Sequence, residues 1–142
     1  MRYLGIDYGS KRVGLSLSDD DGMMAFPHLV LSNDLDLTEN VVSLCEKENI
    51  SAIVLGESKD LSGKPNKIMG SIEEFKRNLE AQIDLPIYFE KEFMTTIEAR
   101  GREGKEKNNA RKNAKQKENK LTDAVAASLI LQRFLDRKNQ RI

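Results

Sequence analysis

Val13, Leu15 and Leu17 alternate with Gly14, Ser16 and Ser18 along the run RVGLSLS. An alternation of period two is the signature of a strand buried on one face. A second strand-like run, RYLGIDY (2–8), stands just before it, and the link Gly9-Ser10-Lys11 is short enough for a hairpin. FPHLVL (26–31) supplies a third strand, entered near Pro27, which suits a strand start or a sheet edge. The chain therefore opens as an antiparallel meander.

The period then changes. Leu37, Val41, Leu44 and Cys45 share one helical face, and Asp36 with Glu39 fits a capping box, so a helix is expected over about 37–48. SAIVL (51–55) is a short apolar strand ended by Gly56, and the polar stretch 57–66 reads as a loop. Ile68, Ile72, Phe75, Leu79 and Ile83 have helical spacing over 67–82, and PIYFE (86–90) is a further strand. Thr95 and Glu98 fit a second capping box, opening a helix near 96–103. Residues 104–119 offer almost no large apolar side chain and read as a mobile basic loop. A last helix, about 120–137, carries Leu121, Val125, Leu129, Ile130 and Phe134. Strands reached through helices can join in parallel. The expectation is one domain over residues 1–142, an α/β unit with a mixed five-stranded sheet and helices on both faces.

Composition narrows the chemistry. Lys plus Arg number 23 and Asp plus Glu number 23, so a case for nucleic acid must come from local charge. Cys45 alone makes no internal disulfide and no cysteine-rich zinc site, and His28 alone anchors no histidine metal centre. Carboxylates suffice for a hard metal. The first residues lack the basic and apolar regions of a signal peptide, and no apolar run reaches membrane-spanning length; a cytoplasmic location without membrane partners is the default expectation.

Three carboxylates stand out. Asp7 ends the first strand between Gly5 and Gly9, on the face of Tyr3 and Gly5. It suits a ligand held close to the backbone, or a turn cap. Glu92 follows the strand PIYFE, at the kind of strand end where ligands collect, but Glu90 and Glu98 compete with it, and the bare pattern does not choose among them. Glu98 suits its cap and Glu90 a solvated position. Asp123 falls in the expected first turn of the last helix and shares an apolar face with Ala126, Ala127, Ile130 and Phe134. A buried carboxylate wants a cation, either a metal or Lys120 or Lys11. The bland reading is a first-turn Asp favoured by the helix dipole. Converging acids would hold one or two Mg²⁺ or Mn²⁺ ions and activate water against a phosphodiester.

The positive charge is concentrated. Arg100, Arg102, Lys105, Lys107, Arg111, Lys112, Lys115, Lys117 and Lys120 face only Glu103, Glu106 and Glu118 within residues 100–120, a net of plus six. This segment, with Lys11 and Arg12, can hold a phosphate backbone and offset the carboxylates' repulsion of it. A solubilising loop is the plainer alternative.

MRYLGIDYGSKRVGLSLSD closely resembles the opening block of the YqgF family, the RuvX-type proteins similar to Holliday junction resolvases. AIVLGESKDLSGKPN, EFMTTIEAR and KLTDAVAASLILQRFL resemble its later blocks, so the resemblance covers nearly the whole chain. It implies an RNase H-like fold and a divalent-metal nuclease that hydrolyses phosphodiester bonds while maturing the 5′ end of precursor 16S ribosomal RNA. By the same match Asp7, Glu92 and Asp123 take the catalytic, metal-holding places. Lys91-Glu92-Phe93 departs from the Asp-Glu-Arg run usual in the third block, and Gly56-Glu57-Ser58 from a Gly-Leu-Pro-like turn. The alternatives are a non-catalytic RNA-binding factor in ribosome assembly or transcription, and a Holliday-junction DNA endonuclease. Asp7-Tyr8-Gly9-Ser10 also resembles the phosphate loop of sugar kinases and actin-like ATPases, which need a second lobe. Oligomeric state is left open between a monomer and a weak homodimer.

Overall fold

The computed structural model describes residues 1–57, 67–91 and 109–140, and within them the side chains of 1–57, 68–91 and 122–140. The strands are β1 (Tyr3–Tyr8), β2 (Arg12–Ser18), β3 (Ala25–Ser32), β4 (Ala52–Glu57) and β5 (Ile87–Lys91). The helices are α1 (Leu37–Lys47), α2 (Lys67–Gln82) and α3 (Asn109–Asn139). One sheet holds all five strands in the order β3-β2-β1-β4-β5. β1–β2 and β2–β3 are antiparallel, and β1–β4 and β4–β5 are parallel. The expected meander and mixed sheet are both present.

The alternation of β2 sorts the molecule into two cores. Leu4, Ile6, Val13, Leu15, Leu17, Ile53 and Leu55 pack against α1 and α2 through Val41, Ile72, Phe75 and Leu79. On the other face Tyr3, Ala52 and Val54 meet Ile130, Leu131 and Leu135 of α3. That second face is lined with small residues where α3 crosses it. A Cβ on Gly5 would lie 2.7 Å from Leu131 Cβ, and one on Gly14 would overlap the Asp123 carbonyl, 2.5 Å from its carbon. The close approach lets buried Ser16 donate its hydroxyl to the Ala127 carbonyl at 2.8 Å. Ala126 and Ala127, both buried, are the helix's side of this contact, as their small size suggests.

Three expectations need correction. Asp36 is the N-cap of α1, but its side chain makes no capping hydrogen bond; Asp34 Oδ1 instead accepts the Asp36 N–H at 3.0 Å. Residues 109–119 are helical rather than loop, because α3 begins at Asn109; 104–108 and the helix expected at 96–103 lie outside the described residues. The 109–119 stretch has no apolar face, but Ala, Lys, Arg, Gln and Glu are good helix formers, and extending an anchored helix avoids the cost of nucleation. Finally, Val125 and Leu129, one turn apart and expected among the apolar residues of the last helix, are exposed on α3. Among the described residues no helix is long and apolar enough to cross a membrane.

Candidate active site

Asp7 sits at the carboxyl end of β1, the strand at which the sheet's order reverses, with β2 on one side and β4 on the other. Such a reversal opens a crevice beyond the strand ends. Asp7 is half-buried and lies directly across from Gly14 of β2. Cross-strand partners point to the same face, so Asp7 faces α3. The backbone of Asp123 rests on Gly14. The backbones of Asp7 and Asp123, two of the three expected acids, thus both neighbour Gly14.

Asp123 is not in a first turn. It lies 14 residues into α3, about four turns from the start, beyond the reach of the helix dipole. Its cation is Arg12, whose Nε donates to Asp123 Oδ2 at 2.7 Å, with 33% and 17% of the two side chains exposed. Of the two lysines expected as candidates, Lys11 stands exposed in the hairpin, and the Lys120 side chain lies outside the described residues. The hairpin is pinned by Gly9 N–H to the Arg12 carbonyl (2.9 Å) and by the Asn33 amide to the Gly9 carbonyl (2.8 Å). Arg12 is therefore aimed from a fixed backbone.

Glu92 and Arg100 lie outside the described residues, and Arg111, Lys112, Lys115 and Lys117 are placed only as α3 backbone. Glu90, expected at a solvated position, is 4% exposed and held in a fork by Arg137, with one bond of 3.1 Å from Nη1 to Oε2 and a second from Nη2 to Oε1. Arg137 is 14 residues along α3 from Asp123, about 21 Å of helix, which separates Glu90's partner from the Asp123 end. Glu90 is structural. Arg137→Ala leaves that carboxylate buried without its cation and is expected to cost roughly 2–3 kcal/mol in urea denaturation. Replacing both residues by Leu should recover most of the loss; an unchanged urea midpoint for Arg137→Ala would refute the assignment.

Glu57 is a carboxylate the sequence reading left in a loop. It ends β4 in register with Lys91 of β5, one strand from Asp7. Only the extension of β4 past Leu55 reveals it. A cavity of about 260 Å³ also opens beside Tyr8, between Asn33, Thr38, Glu74, Phe75 and Asn78. Tyr8 and Phe75 belong to the α1–α2 side, so the cavity is separate from the face that Asp7 shares with α3. Cys45 is buried, and burial pushes its thiol up to about 11, away from the reactive thiolate.

The family model for RuvX, described as a Holliday junction resolvase, matches residues 1–137. The chain belongs to the RuvX family. A relative from Maridesulfovibrio salexigens is 34% identical over 140 residues, covering 96% of this chain and 99% of its own. One from Limosilactobacillus reuteri is 33% identical over 147 residues, covering 100% and 97%. Both bear the name "Putative pre-16S rRNA nuclease". Among solved structures, Thermus thermophilus RuvC in complex with a Holliday junction substrate superposes with a TM-score of 0.57 at 14% identity, covering 98% of this chain and 96% of that one. The Fowlpox virus resolvase bound to Holliday junction DNA gives 0.57 at 11% identity, covering 96% and 98%. These likenesses speak for the fold, which is RNase H-like.

The donor set of this RuvX chain fits a hard divalent ion. Asp7 and Asp123 offer carboxylate oxygens from two elements locked together at Gly14, and Asp123 already holds a cationic partner. Among the described residues no group of three or more acidic, His or Cys side chains could hold a metal ion.

Proposed function

We propose that this protein is a divalent-metal-dependent nuclease that cleaves a phosphodiester bond of structured RNA, with precursor 16S ribosomal RNA as substrate. The observation that supports this reading is that Gly14, the cross-strand partner of Asp7 at the carboxyl end of β1, lies against the Asp123 backbone, on a chain whose relatives bear a nuclease name. Asp7, Asp123 and Glu92 are the proposed ligands of Mg²⁺ or Mn²⁺. When bound, such an ion supplies an activated water and stabilises charge at the phosphate and its leaving oxygen. The residues of the chain do the rest. Asp7 and Asp123 orient the donor oxygens from rigid elements. Lys11 and Arg12, at the hairpin beside them, and the basic residues Arg100, Arg111, Lys112, Lys115, Lys117 and Lys120 bind the phosphate backbone. Lys91, exposed at the end of β5, adds a positive charge in the block where Phe93 replaces the family's usual Arg.

The test incubates purified protein with end-labelled precursor 16S 5′-end RNA and with a matched four-way DNA junction, in Mn²⁺, Mg²⁺ or chelator. Metal-dependent cleavage of the RNA, absent in chelator, is the expected result. Cleavage of the junction alone would replace RNA by DNA as the substrate. Tight RNA binding with no cleavage in either metal would favour an assembly factor and overturn the catalytic reading.

A further inference from the structure

Arg12 and Asp123 stand 111 residues apart in sequence, yet Arg12 Nε donates to Asp123 Oδ2 at 2.7 Å. The pair joins two roles that conflict. Asp123 is a proposed metal ligand, and Arg12 occupies one of its two oxygens at 2.7 Å. A guanidinium and a divalent ion cannot share that oxygen at their ordinary contact distances without strong mutual repulsion. Arg12 is also a third exposed, so its head has water on one side into which it can turn. Its backbone stays fixed meanwhile, through the Gly9–Arg12 hydrogen bond and the pairing of Arg12 with Ser32. A swing of the side chain alone releases the carboxylate and leaves the positive head at the same crevice, where a substrate phosphate would lie.

Resting on the nuclease reading above, we propose that Arg12 is the counter-ion of Asp123 in the metal-free protein and is exchanged for divalent metal when the site loads. The freed guanidinium then contacts the substrate phosphate. Arg12 is in this sense a positioning residue. It keeps Asp123 aimed and paired while no metal is present, so the half-buried carboxylate is never left without a cation. Metal occupancy then brings out a phosphate-binding group that was previously tied down. The planar fork of Arg suits both partners, since it recognises carboxylate and phosphate with the same N–H geometry.

The exchange has a thermodynamic signature that needs no turnover. Metal must displace Arg12, so removing Arg12 removes a competitor. Mn²⁺ titrated calorimetrically into Arg12→Gln should bind roughly two- to tenfold more tightly than into wild type, the range expected for giving up a partly exposed charge-assisted pair. Arg12→Lys, which keeps the charge, should stay near wild type, and Asp123→Asn should weaken binding. In the wild-type protein the Arg12 Nε–H resonance, identified by its loss in Arg12→Lys, should shift as Mg²⁺ saturates the site. If Asp123→Asn weakens Mn²⁺ binding but Arg12→Gln binds no more tightly than wild type, the metal site stands and the exchange is wrong. If Mn²⁺ binding does not depend on Asp123, the site and the exchange both fall. If Arg12→Gln does not fold, the wild-type resonance decides: an Nε–H signal that Mg²⁺ leaves in place overturns the proposal.

Discussion

Asp7→Asn is expected to slow metal-dependent RNA cleavage by roughly a thousandfold, the loss that follows from removing several kcal/mol of transition-state stabilisation. The substitution keeps the shape of the side chain and the pairing of β1 with β2 and β4. It removes the negative charge at the reversal point of the sheet, where the proposed donor oxygens would hold an ion against water. Single-turnover cleavage with enzyme in excess isolates the chemical step, and a thermal melt run alongside confirms folding. Asp7→Asn combined with Asp123→Asn should be little worse than either alone, because residues that act as a unit do not add. A variant within tenfold of wild type would show that the cleavage belongs to another site or a contaminant.

Gly14→Ala should be damaging out of proportion to its size. The added methyl would overlap backbone of Asp123, lying 2.5 Å from its carbonyl carbon and 3.1 Å from the Ala124 nitrogen. Backbone cannot rotate out of the way as a flexible side chain can, so α3 must lift off the sheet. Overpacking of this kind costs roughly 3 kcal/mol. The functional loss should exceed the stability loss, since lifting α3 carries Asp123 away from Asp7, and a misplacement of about 1 Å can cost a hundredfold in rate. Gly70→Ala is the matched control. Gly70 lies in α2, exposed, with nothing within 4 Å of its missing Cβ. There the same methyl should stabilise by about 0.5–1 kcal/mol. Urea midpoints moving in opposite directions would verify both; a neutral Gly14→Ala would mean that α3 does not rest on β2 as described.

Much of this arrangement was legible from local pattern. RVGLSLS is a strand over the same residues that its alternation marks, and α2 covers the span set by Ile68, Ile72, Phe75 and Leu79. The face of Asp7 followed from strand parity alone. What pattern could not supply was partnership at a distance. Nothing local to Arg12 says that its cation belongs to a carboxylate in the last helix, and nothing local to Glu90 says that Arg137 will cover it. The start of α3 was missed for a different reason. Periodicity detects buried faces, and a helix extended by propensity beyond its packed part has none. Glu92 was singled out by resemblance, and it lies outside the described residues.

The placement of Asp123 on α3 also sets when the site can exist during synthesis. Asp7 emerges among the first residues, but the helix that covers its face of the sheet follows more than a hundred residues later. At ordinary elongation speeds that interval is roughly ten seconds. Throughout it the α1–α2 core can begin to close, while Gly5, Gly14 and Ser16 still await their helix. A chain that is still being translated therefore has one acid of the pair and no second. Hydrolysis that depends on the proposed Asp7–Asp123 pair therefore waits for the arrival of α3.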